Sequence, residues 1–183
     1  MNQLSNQIRQ IILLLLLCQL YGTAYAYTDI SLKSIDGSEH RLSDYIGHGK
    51  WVVLNIWGTR CPPCQEEIPE LVQFHDQNRD ADRIVVGIAI AFPGFGLARK
   101  KDVAAFADDY FIDFPIFLSD ASVTEKIGLG QLQALPTTYV FTPDGKIAGM
   151  QVGGITSKIL EDFINKQQLQ SPGSKKNQSG EHS

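Results

Sequence analysis

Cysteine is scarce in this sequence, with three residues among 183. That scarcity excludes a framework of several disulfides. There is no second Cys-x-x-Cys and no clustered histidine pair, so a four-ligand structural zinc site is excluded as well. Runs of basic residues are missing and the formal net charge is −4, which argues against nucleic acid as a partner. Long apolar runs are missing too. Ile11 to Leu17 is an unbroken one, and it falls short of the roughly 20 residues that cross a bilayer. An apolar fraction of 43% supplies a core but not a multispanning membrane protein. The length suits one domain, with room for an insertion, and no internal repeat is visible.

What is present begins with an export signal. Arg9 supplies a weakly positive start, Ile11 to Leu17 the apolar stretch, and Ala24-Tyr25-Ala26 a small-x-small cleavage site. Residues 1–26 are therefore expected to be a signal peptide cut after Ala26, with an uncleaved anchor as the alternative. Cys18 follows Leu17 where a lipoprotein signal has a small residue, so lipidation is not expected. Removal of this segment leaves Cys61 and Cys64 as the cysteines of an exported protein. Residues 27–168 form the expected domain. Residues 169–183 are polar, without apolar periodicity, and are expected to be a disordered tail.

Between these ends the pattern alternates. Tyr27–Ser34 and a short piece around His40–Leu42 read as extended, joined by the turn Asp36-Gly37, and a helical turn is expected at Ser43–Tyr45. Lys50–Trp57 and Asp82–Ile90 are apolar enough for buried strands. Helices are expected over Pro62–His75, Arg99–Phe111, Ser122–Ile127 and Thr156–Lys166. A short strand is expected at Phe114–Leu118, and a hairpin pairs Thr137–Phe141 with Lys146–Met150 across Pro143-Asp144-Gly145. Strand, helix, strand, helix, strand, then hairpin and helix predicts a mixed α/β sheet with helices on both faces.

The chemistry sits in Trp57-Gly58-Thr59-Arg60-Cys61-Pro62-Pro63-Cys64. Two cysteines separated by two residues lie where a strand ends and a helix begins. A helix N-terminus carries partial positive charge and unpaired N–H groups, which favour a thiolate over a thiol. A second thiol one turn on can close a disulfide and release a trapped partner. A merely structural bridge is the bland alternative, but so short a loop constrains little of the unfolded chain. At helical spacing Cys64, Ile68, Leu71 and Phe74 share one stripe, with Cys61 at the open, solvent-facing end. Pro69 is expected to kink the helix.

These stretches resemble the thioredoxin superfamily, and within it the TlpA/ResA-like extracytoplasmic thiol–disulfide oxidoreductases. The likeness rests on Leu42-Ser43-Asp44-Tyr45 leading into Val53-Leu54-Asn55-Ile56-Trp57, and on Cys61-Pro62-Pro63-Cys64 with Pro69 five residues on. It rests further on Phe114-Pro115-Ile116, on Leu135-Pro136-Thr137-Thr138-Tyr139-Val140 and on Asp144-Gly145. It covers roughly residues 28 to 166. The resemblance implies a thioredoxin-like fold with an N-terminal extension and a helix–strand insertion. It implies Cys61 as nucleophile, Cys64 as resolving thiol, and a cis Pro136. The backbone of Leu135, Pro136 and Thr137 would then pair with an extended substrate. It also implies a membrane electron donor of the DsbD or CcdA kind, and substrates such as apocytochrome c or its chaperones. The peroxidatic Pro-x-x-x-Thr-x-x-Cys pattern of related folds is missing.

Two departures from the family matter. Arg60 stands where the family usually has Trp, adding a cation beside Cys61. It either lowers the thiol's pKa or is simply solvated, and it is a candidate substrate contact. Asn55 fills the place of the buried acid of cytoplasmic thioredoxins. Glu67, inside the apolar stripe one turn from Cys64, is the candidate replacement. Burial there should raise its pKa and let it exchange a proton with Cys64; its position also matches that of a functional glutamate in ResA-like members. The alternative is a solvated acid stabilising the helix start. His75 lies roughly 16 Å along the helix from Cys64 and is expected to be structural, as Trp57 and Tyr139 are expected to be packing residues. The predicted activity is protein-disulfide reduction by a monomer without a cofactor or metal, outside the cytoplasm, in the periplasm or its equivalent. A disulfide oxidant or isomerase, and a non-catalytic binding module of the same fold, remain as alternatives.

Overall fold

A computed structural model of the chain describes residues 30–95 and 98–170. The expected signal peptide, its cleavage site and Cys18 lie outside the described residues, as does most of the expected tail. The strands are β1 (Ser31–Ser34), β2 (Glu39–Arg41), β3 (Trp51–Trp57), β4 (Arg83–Ala91), β5 (Ile116–Asp120), β6 (Thr137–Phe141) and β7 (Ile147–Val152). The helices are α1 (Pro62–Asn78), α2 (Lys100–Asp109), α3 (Val123–Lys126) and α4 (Ser157–Gln170), with a 3-10 turn at Leu42–Asp44.

The strands form one sheet in the order β2-β1-β5-β4-β3-β6-β7. β3, β4 and β5 run parallel, while β6 pairs antiparallel with β3, β7 with β6, and β1 with both β5 and β2. Every residue of β3 and of β6 is buried, as expected where helices cover both faces of a sheet. The mixed thioredoxin-like sheet is thus the one the pattern predicts. It sets the carboxyl end of β3 at mid-sheet, where the cysteine motif leaves it.

Several boundaries differ from expectation. α1 runs through Pro69 to Asn78, beyond His75. β5 starts at Ile116 rather than Phe114, because Pro115 has no N–H for a ladder and gives only its carbonyl, to the Gly87 N–H at 2.9 Å. α2 ends at Asp109, two residues early, where Phe111 adopts φ 54°, a left-handed conformation that closes helices. α4 continues to Gln170 and so takes in two residues of the expected tail. No apolar stripe holds that end, and Leu169 is exposed. Polar contacts hold it instead: the Gln168 side chain donates to Asp82 at 2.6 Å and accepts from Arg83 at 3.2 Å.

Candidate functional site

Cys61 is the N-cap of α1, with extended backbone, and Pro62 and Pro63 open the helix. Proline suits the first turn because an N–H there has no intrahelical partner. The loop before it is tied down on three sides. Cys61 N–H donates to the Gly58 carbonyl at 3.2 Å, Arg60 N–H to the Phe95 carbonyl at 3.2 Å, and the Gln65 amide to the Thr59 carbonyl at 2.9 Å. A side chain at Gly58 would lie 3.3 Å from Leu135 and 3.4 Å from the Phe95 carbonyl, so a larger residue here would press on both loops that close on this turn.

Cys61 and Cys64 form a disulfide with Cα atoms 5.2 Å apart. Cys61 was expected to be exposed at the open end of the helix, and this is corrected: both cysteines are completely buried. The helix end is open along the chain, but the turn that leads into it is packed against Leu135 and the Phe95 carbonyl at Gly58.

The Leu135–Pro136 peptide bond is cis, as the resemblance implies. The Pro136 carbonyl accepts the Gly153 N–H at 2.9 Å, and the Thr137 hydroxyl donates to the Ala134 carbonyl at 2.8 Å. This loop and the cysteine motif meet at Gly58.

Glu67 is 3% exposed, so it does not reach solvent at the helix start. Oε1 accepts from Asn55 Nδ2 at 2.8 Å and Oε2 from the Ile155 N–H at 3.0 Å. Loss of water pushes its pKa up to about 7, against the pull of the two hydrogen bonds, of which Asn55 gives the larger. It shares the helix face of Cys64, one turn away. The same Asn55 Nδ2 donates to Thr138 Oγ1 at 3.0 Å. Thr138 and the Ile155 N–H were not foreseen as parts of this site; they lie 83 and 88 residues from their partners and carry no local signal.

Arg60 is exposed. With Thr59, Arg99, Asp102, Ala105, Phe106 and Asp109 it lines a cleft of about 410 Å³ beside the cysteine motif. Arg99 is paired with Asp102 at 2.6 Å. The α2 side of this cleft was legible only as an amphipathic helix. Trp57 is buried and packs on Phe106 at 4.8 Å, and Tyr139 is buried. His75 is buried at the far end of α1, where Nδ1 accepts the Val85 N–H at 3.2 Å. Among the described residues no cluster of ligating side chains could hold a metal, and no helix is long and apolar enough to cross a membrane.

Comparison with known proteins agrees with this geometry. Residues 24–150 match the AhpC/TSA family. The thioredoxin-like protein YneN of Bacillus subtilis is 35% identical over 75% of this chain and 75% of its own. The thiol-disulfide oxidoreductase ResA of Geobacillus thermodenitrificans is 33% identical over 85% of this chain and 92% of its own. A secreted thiol-disulfide isomerase from Corynebacterium glutamicum superposes with a TM-score of 0.65 at 26% identity, covering 75% of this chain and 81% of that one. A redox-capable cysteine pair on such a helix, beside a cis-proline loop and within matches of this extent, places the chain in the AhpC/TSA family as a thioredoxin-like thiol–disulfide oxidoreductase of the ResA type.

Proposed function

We propose that this oxidoreductase runs in the reducing direction, outside the cytoplasm, on disulfides of other proteins. Cys61 thiolate attacks one sulfur of the substrate disulfide. That S–S bond breaks, a mixed disulfide forms, and the first substrate sulfur leaves as a thiolate that takes a proton. Cys64, deprotonated by Glu67, then attacks the Cys61 sulfur. The second substrate thiolate departs, and the pair is left oxidised by two electrons. With its pKa near 7, Glu67 can hold or give up a proton at neutral pH. Leu135, Pro136 and Thr137 would receive the substrate backbone, and Arg60 an acidic side chain near the substrate cysteine, in the cleft it lines. A membrane donor of the DsbD or CcdA kind would re-reduce the pair. Cytochrome c maturation, with apocytochrome or its chaperone as substrate, fits the ResA-type relationship. The likeness to a secreted protein supports export.

One observation carries the direction. Of the four N–H groups that a helix start leaves unpaired, Cys61's is taken by Gly58, and Pro62 and Pro63 have none. Only that of Cys64 is left to stabilise a sulfur anion. A poorly stabilised thiolate makes the dithiol give up its electrons readily, whereas strong oxidants have stabilised reduced forms. Equilibration against glutathione tests this. A potential well below that of the glutathione pool is expected; one close to that of a strong disulfide oxidant would overturn the reductase reading. In the same experiment Cys64→Ser should accumulate mixed disulfides with envelope proteins, whereas a module without thiol chemistry would trap none.

A further inference from the structure

Asn55 sits in the middle of β3, fully buried, and faces Thr138 across the β3–β6 register. Its Nδ2 serves two acceptors, Glu67 Oε1 at 2.8 Å and Thr138 Oγ1 at 3.0 Å. Its Oδ1 is buried and has no hydrogen-bond partner among the described residues. One end of the amide is thus used twice and the other not at all. Turning the carboxamide by half a turn would exchange the two ends at nearly the same positions, because amide nitrogen and oxygen are close in size. The distances then suit O–H···O bonds. In that orientation Oδ1 needs two donors. The Thr138 hydroxyl can be one, since a hydroxyl gives or accepts. Glu67 can be the other only when protonated. The turned orientation leaves two buried N–H donors idle instead of one carbonyl oxygen, so it is reached only when a protonated Glu67 donates to Oδ1, and the choice between the two falls to Glu67.

The other groups around Glu67 do not make that choice. Cys64 shares its helix face, and the Ile155 N–H holds its second oxygen. Glu70, one turn further along α1, is occupied by the Ser157 N–H at 2.9 Å. Among the described residues no cation or second carboxylate shifts Glu67's ionisation.

We propose that Asn55 is a positioning residue whose carboxamide turns with the protonation state of Glu67, donating to the carboxylate and accepting from the acid, while the Thr138 hydroxyl reverses its own role in step. Glu67 then keeps a hydrogen bond of the right polarity whether it has taken or returned a proton. The residue type follows: leucine would serve neither state, and aspartate would place a second acid against the first. The inference rests on the reading that Glu67 exchanges a proton with Cys64.

Nuclear magnetic resonance of the labelled chain, titrated across the Glu67 midpoint, tests it. The nuclear Overhauser effects from the Asn55 side-chain amide hydrogens to the Thr138 side chain should be strong above the midpoint and lost below it. In Glu67→Gln they should not change with pH. Asn55→Leu removes the charge-assisted bond and should move the Glu67 midpoint about one pH unit higher, carrying the pH–rate profile with it. Thr138→Val should slow exchange several-fold and Thr138→Ser should restore it, which keeps the test open if Asn55→Leu does not fold. Overhauser effects identical on both sides of the midpoint would overturn the proposal. If Glu67→Gln exchanges disulfides at the wild-type rate while the wild-type amide still turns, the proton-exchange reading falls and the coupling of Asn55 to Glu67 stands.

Discussion

At the cysteine end of α1, Glu67 is buried among Asn55, Thr138 and the Ile155 N–H; at the far end, His75 is buried against the Val85 N–H with its ring edge-on to Phe114 at 5.8 Å. Burial drives both toward the neutral form, raising the acid and lowering the base. The surroundings then diverge. Around the far end the polar groups form a clamp. Asn78 donates to Glu161 at 2.6 Å, Arg83 pairs with Glu161 and reaches Asn165 at 2.6 Å, and α1, β4 and α4 are tied together. At the cysteine end no cation among the described residues shifts Glu67, and one amide oxygen has no partner among them. A shifted ionisation alone does not mark a functional group. On the proposed mechanism it becomes chemistry where a reacting sulfur lies within one turn, and it serves structure where the neighbours are already paired.

The largest effects should separate the two ends completely. Cys61→Ser should reduce turnover of a model protein disulfide such as insulin to the uncatalysed rate while leaving the fold intact. Arg83→Leu should do the opposite: the rate per folded molecule stays at wild type, while urea denaturation reports a loss of about 2 kcal/mol from the charge-assisted bonds that the guanidinium gives to the half-buried Glu161 and to Asn165. Equal loss of rate in both variants would erase the distinction.

Glu67→Gln should slow exchange by about 100-fold near neutral pH, the lower end of general acid–base contributions. It should also change how stability depends on pH. The folded midpoint of Glu67, about 7, lies above its ordinary value of 4.5. Its contribution is therefore present below 4.5 and is lost as pH rises through 7. The wild-type chain should lose roughly 3 kcal/mol over that window, at about 1.4 kcal/mol per pH unit of displacement, and the variant should not. Parallel denaturation curves for the two proteins would show that Glu67 ionises without cost.

The smallest effect belongs to His75. Its folded midpoint lies below its ordinary 6.5, so its contribution is present above 6.5 and is lost as pH falls beneath it. His75→Gln, neutral at every pH and able to accept the same N–H, should flatten that acid-side loss and leave exchange within about two-fold of wild type, because the side chain lies roughly 16 Å along the helix from Cys64. A changed pH–rate profile would bring His75 into the chemistry after all.

Much of this was legible in the chain. The strand, the cysteine pair and the helix follow one another directly, so their junction could be read from spacing, and Glu67 fell inside a stripe of apolar residues whose burial it shares. The burial of Cys61 could not be read, because the segments that pack on its loop, Phe95 and Leu135 among them, come from elsewhere in the chain. Nor could the end of α4, which Asp82 and Arg83 hold through polar contacts that leave no hydrophobic period.

The sequence by itself determined the order of strands and helices, the thiol pair at a helix start and the acid one turn behind it, since each depends on residues within a turn or a strand of one another. Tertiary structure alone decided that the disulfide is enclosed, that Glu67 takes its two hydrogen bonds from β3 and from the backbone before α4, and that one amide joins it to Thr138. Those facts depend on which distant segments the sheet brings together, and desolvation and hydrogen bonding act over a few ångströms of space whatever the distance along the chain.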